Sequence, residues 1–106
     1  MKKVSHFIDG KKYSDPKSRL GPIFNPAIGE QIAEVELGNK ATVEMAIESS
    51  QKAFLKWSKT TPINRSRILS KYKDLLIKNM EELAVMVSEQ HGKTIPDAKG
   101  SIQRGI

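Results

Sequence analysis

Between Thr61 and Gly92 the chain carries one apolar stripe, and no other stretch limits its folding as strongly. Leu69, Tyr72, Leu76, Met80, Leu83 and Val87 recur at helical spacing, with charged residues such as Lys71, Lys73, Asp74 and Glu82 mostly off that face. Both ends are marked. Thr61 can cap the helix, Pro62 suits its first position, where an N–H would have no partner, and Gly92 can end it in a left-handed conformation. The pattern predicts a single helix of about eight turns. Such a stripe needs a partner. Lys40 to Ser58 supplies a second amphipathic face through Val43, Ala46, Ile47, Ser50, Ala53, Phe54 and Trp57, with Asn39 as its cap. Because only Lys59 to Thr61 separates them, the two segments are expected to form an antiparallel helical pair.

The first 38 residues read as β elements and loops. His6 to Tyr13 predicts a hairpin, with Asp9-Gly10 as a turn that tolerates positive backbone angles. Ser14 to Gly21 reads as loop, and Asn25-Pro26 through Gly29-Glu30 as a turn cluster. Ala33, Val35 and Leu37 alternate with Glu34 and Glu36, which predicts a strand whose glutamates face water. These elements are too few for a stable sheet and are expected to pair with strands outside the sequence. After Gly92, Thr94 or Ile95 opens a last helix that Gly100 and Gly105 weaken. The expected fold class is α+β, with leading β elements over 1–38 and a helical part over 39–106 that includes only the start of a third helix. The chain reads as cut at Ile106.

Chemistry is sparse. With no cysteine there is no thiol nucleophile, disulfide or thiolate ligand. No apolar run reaches membrane-spanning length and no signal peptide is visible, so no membrane partner is expected. A net charge of +6 invites a nucleic-acid reading. Its densest patch, Arg65, Arg67, Lys71 and Lys73, lies on one helix without interleaved aromatics apart from Tyr72, and no nucleic-acid partner is expected. Gly92-Lys93-Thr94 resembles the end of a phosphate-binding loop, but Val87 stands where that pattern needs glycine, and a helix precedes it rather than a strand. His6 and His91 each lack a second ligand at metal-binding spacing, so no metal site is expected. Glu81 and Glu82 diverge as helix neighbours, and Trp57 reads as core. Arg104 stands between Gly100 and Gly105, where small residues permit close approach, and a guanidinium there can hold a carboxylate through two hydrogen bonds. An ordinary solvent-facing arginine is the alternative.

Six stretches, in order, resemble the N-terminal part of the aldehyde dehydrogenase superfamily. They are Phe7-Ile8-Asp9-Gly10-Lys11, Asn25-Pro26-Ala27-Ile28-Gly29-Glu30, Ala53-Phe54-Leu55-Lys56-Trp57-Ser58, Arg65-Ser66-Arg67-Ile68-Leu69, Glu81-Glu82-Leu83-Ala84 and His91-Gly92-Lys93-Thr94. Within it, the ending Asp97-Ala98-Lys99-Gly100 and Arg104-Gly105-Ile106 is most similar to the methylmalonate-semialdehyde (malonate-semialdehyde) dehydrogenase group. Succinate-semialdehyde enzymes share the Gly-Lys element, and that subfamily stays open.

The resemblance implies an α/β parent whose dinucleotide-binding domain begins here. It implies an NAD-dependent, CoA-acylating oxidation of a semialdehyde through a cysteine thioester in a homo-oligomer, and the absence of cysteine here is compatible with a reducing cytoplasm. It implies Arg104 as a contact of the substrate carboxylate. The chain departs from that pattern in having no cysteine, so the catalytic and NAD-binding residues are expected outside it and turnover by the chain alone is not expected. Two other readings remain. A helical interaction module requires the two apolar faces to cover each other completely, and a nucleic-acid-binding domain requires steeply salt-dependent binding.

Overall fold

The computed structural model describes residues Met1–Ile106. Five strands and four helices follow in the order β1 (Lys2–Val4), β2 (His6–Ile8), β3 (Lys11–Tyr13), β4 (Arg19–Asn25), β5 (Glu30–Leu37), α1 (Lys40–Trp57), α2 (Pro62–Lys78), α3 (Met80–His91) and α4 (Ile95–Gly105). The residues divide into two compact units. One holds Met1–Ile23 and Gln31–Thr60, the other Phe24–Glu30 and Thr61–Ile106. This division does not follow the 1–38 and 39–106 boundaries, because α1 goes with the strands and the turn after β4 goes with α2 to α4.

In the first unit β5 is the central strand of a three-stranded sheet, in the order β1-β5-β4. β1 runs parallel to it, with Lys3 opposite Glu34 and Val4 opposite Val35. β5 thus has partners within the chain, beyond any strands outside it that the sequence leads one to expect. β1 and β4 were missed because each carries residues that weaken a strand signal, lysines in one and Gly21-Pro22 in the other. β2 and β3 form the expected hairpin, His6 opposite Tyr13, and Asp9 and Gly10 take φ of 53° and 70° to close it. α1 packs beside β2. Asn39 caps α1 by accepting the amide of Thr42 at 2.9 Å.

In the second unit the single long helix is corrected to two. The chain breaks at Asn79, whose side-chain amide donates to the Leu75 carbonyl at 2.7 Å and whose ψ is 17°. The Asn79 backbone amide donates to the same carbonyl at 3.1 Å, so side chain and backbone of one residue both close the end of α2. Glu81 and Glu82 then lie in the first turn of α3, where their charge favours the helix dipole. Gly92 ends α3 with φ 77°, and a Cβ there would meet Pro26 Cγ at 3.0 Å. α4 is helical over Ile95–Gly105 despite Gly100 within it. Thr94 caps it, Asp97 and Arg104 suit its two ends, and Ala98 is fully buried where α3 and α4 pack together, as is Ala84.

α1 and α2 fall in different units, and each keeps exposed apolar side chains: Phe54 is 65% exposed and Tyr72 60%. Trp57 is also exposed, not core. No helix is long and apolar enough to cross a membrane.

Candidate functional site

Arg104 lies in the last turn of α4 and is exposed. Its Nη2 donates to Ser101 Oγ at 3.0 Å, one turn back on the same face. A Cβ at Gly100 would stand 3.8 Å from Arg104 Nη1, at ordinary van der Waals contact. Lys93, half-buried in the link before α4, donates from Nζ to the same Ser101 Oγ at 2.8 Å. Its backbone is held in turn, because Ser88 Oγ donates to the Lys93 carbonyl at 2.7 Å. No carboxylate pairs with either cation, whereas Lys99 on the same helix meets Glu81 at 2.5 Å. The structure thus joins Arg104, the arginine marked by its sequence setting, to two residues that were not marked. Lys93 was absorbed into a failed phosphate-loop comparison. Ser101 showed only its three-residue offset from Arg104, the one signal available.

A second polar cluster lies in the first unit, around Glu36. The alternation that put Glu36 on the wet face is corrected here: its side chain is fully shielded while Leu37 is exposed. Lys3 Nζ stands 2.7 Å from Oε1, Ser14 Oγ donates to the same oxygen, and the Asp15 amide donates to Oε2 at 3.2 Å. The Lys3 ammonium, then the Ser14 hydroxyl, hold the carboxyl down to about 2, against burial, which acts the other way. His6 Nε2 sits 3.8 Å from Oε2, shielded from solvent and without a hydrogen-bond partner. A carboxylate held this strongly ionised is a poor general base, so the cluster ties the first residues of the chain to β5. Asp15 is lowered too, first by the Lys17 amide and then by the Asn39 side chain.

The residues present do not fit a dinucleotide. The turn from β5 into α1 offers one glycine, Gly38, and the Asn39 oxygen already takes the Thr42 amide. Asn39 Nδ2 donates to Asp15 Oδ2 at 2.7 Å, so a phosphate at this helix start would meet a carboxylate. No group of three metal-ligating side chains comes together.

Comparison with known proteins bears on what such an arrangement serves. A malonate-semialdehyde dehydrogenase of Bacillus pumilus (strain SAFR-032) is 44% identical over 103 residues, which are 97% of this chain and 21% of that protein. A Dictyostelium discoideum protein assigned as a mitochondrial, acylating methylmalonate-semialdehyde/malonate-semialdehyde dehydrogenase is 40% identical over 100 residues, 94% of this chain and 19% of its own length. A Sinorhizobium meliloti 1021 protein assigned as a methylmalonate-semialdehyde dehydrogenase, solved with NAD, superimposes with a TM-score of 0.95 at 48% identity over 99% of this chain and 21% of that one. The chain therefore spans about a fifth of the length of the relatives it matches. The profile of the aldehyde dehydrogenase family covers residues 13–106, and the chain belongs to that family.

Proposed function

We propose that the chain serves an NAD-dependent, CoA-acylating dehydrogenase that oxidises a carboxylated semialdehyde of the malonate type to an acyl-CoA. The observation that carries this reading is the 44% identity to a malonate-semialdehyde dehydrogenase across 97% of the chain. The NAD held by the Sinorhizobium meliloti relative supports the oxidant, and the acylating assignment of the Dictyostelium discoideum relative supports coenzyme A. Within the whole enzyme, Arg104 pairs with the substrate carboxylate. Its position on α4, its exposure and the hydrogen bond that fixes it to Ser101 support that role.

These 106 residues supply no nucleophile, because no cysteine is among them. Their part is to build the α3–α4 pair and present Arg104. The exposed α1 face, with Val43, Ile47, Phe54 and Leu55, supports a reading in which further protein covers it, as in a homo-oligomeric enzyme. A self-sufficient helical module fits less well, since it requires that face to be covered within the chain. We place the enzyme in a compartment supplied with NAD and coenzyme A, the cytoplasm.

Exchange into a relative tests the proposal. The 106 residues would replace the matching segment of the Bacillus pumilus enzyme, with circular dichroism and thermal melting as checks of folding. Turnover of malonate semialdehyde with NAD and coenzyme A is expected to persist in that chimaera. A folded chimaera without turnover would contradict the proposal, and so would NADH formation by the 106 residues alone.

A further inference from the structure

We infer that the carboxylate site extends beyond Arg104 to Lys93 and Ser101, which together make a two-cation cradle for a small carboxylic acid. The inference rests on the proposed role of Arg104 and adds the residues that set its strength. Its basis is the shared hydroxyl. Ser101 Oγ accepts from Lys93 Nζ at 2.8 Å and from Arg104 Nη2 at 3.0 Å. A hydroxyl oxygen accepts two hydrogen bonds and donates one. Both acceptor positions are filled, so the Ser101 O–H is left to act as a donor.

The bond lengths hold the two cationic nitrogens under about 6 Å apart, where like charges repel and an anion between them is favoured. Neither cation has a carboxylate within ion-pair distance, in contrast to Lys99, which Glu81 neutralises. The cradle is also built in advance of any ligand. Ser88 fixes the Lys93 carbonyl, the Gly92 N–H donates a hydrogen bond to the Ser88 carbonyl at 2.8 Å where α3 ends, and Thr94 caps α4. What remains free at the site is the Ser101 hydroxyl hydrogen, the remaining Arg104 N–H groups and the other two Lys93 protons. All are donors, which suits an oxyanion and no cation. Arg104 contacts the acid directly. Lys93 acts by charge and by holding Ser101, and so determines specificity without entering the chemistry.

The test uses the 106-residue chain and two probes, malonate and inorganic phosphate, at constant ionic strength. NMR would follow the Ser101 amide and the Arg104 Nε signal. Saturable shifts with malonate are expected. Lys93→Met should weaken binding about two- to fivefold, as the loss of one solvent-screened ion pair does, and Lys93→Arg should restore it. Thermal melting of each variant separates lost binding from lost folding. Absence of saturable shifts would overturn the inference, as would malonate binding that Lys93→Met leaves unchanged in a folded chain. Saturable binding of phosphate without malonate would overturn the carboxylate assignment. Because this readout needs no turnover, its failure is distinct from failure of the dehydrogenase chimaera.

Discussion

The two compact units are held by opposite means. Around β5 the buried groups include a carboxylate, with Glu36 tied to Lys3, Ser14 and the Asp15 amide. In the unit of α2 to α4 the fully buried residues are Ala84 and Ala98, and what matters is how closely two helices approach. A charge cluster responds to pH and tolerates changes of shape at its exposed rim. A small-residue seam is indifferent to pH and intolerant of added volume. The candidate carboxylate site sits on the second kind of support, so the geometry of Arg104 depends on packing more than on charge.

Added volume breaks the comparison most strongly. Ala98→Leu forces a larger side chain into the α3–α4 seam, and overpacking of this kind costs about 1–3 kcal/mol. Denaturant unfolding should show that loss at neutral and at acid pH alike. Gly92→Ala comes next. A left-handed conformation costs an alanine about 1–2 kcal/mol, and the new Cβ would press on Pro26 Cγ. Pairing it with Pro26→Ala should recover the steric part, which a double-mutant cycle measures.

The Glu36 cluster sharpens the contrast through pH. Its folded carboxyl is held at about 2, below the ordinary value of 4.5. A depressed carboxylate contributes stability above the unfolded value and loses it as pH falls through the folded one. Melting temperature should therefore drop between pH 4.5 and 2 in the parent chain, and Glu36→Gln should remove that part of the slope. The smallest effect is expected on α1. Phe54→Ser changes an exposed side chain and should shift stability by no more than about 0.5 kcal/mol, while lowering binding of an apolar dye. A large loss of stability there would mean that the face is covered within the chain.

Local chemistry was legible where it was also sufficient. Asp9-Gly10, Asn39, Thr61-Pro62 and Gly92 each act as their residue types dictate, because turns and caps depend on neighbours in sequence. Asn79 escaped because the apolar stripe runs through it unbroken. Periodicity reports which face is apolar, and it does not report a side chain that takes a backbone carbonyl. Glu36 escaped because alternation assigns faces to a strand without knowing that Lys3, distant in sequence, lies beside it. The same limit applied to the candidate site. Arg104 was visible from its flanking glycines, whereas the meeting of Lys93 and Ser101 depends on how the link folds between α3 and α4.

The most direct measurement is substrate preference in the Bacillus pumilus chimaera carrying Arg104→Ala. It would compare kcat/KM for malonate semialdehyde with that for an aldehyde lacking a carboxylate. A charge-assisted hydrogen bond is worth about 1.5–3 kcal/mol, so the preference for the carboxylated substrate should fall about ten- to hundredfold. Turnover of the plain aldehyde should stay nearly unchanged. An intact preference, or an equal loss on both substrates, would contradict a role for Arg104 in holding the carboxylate.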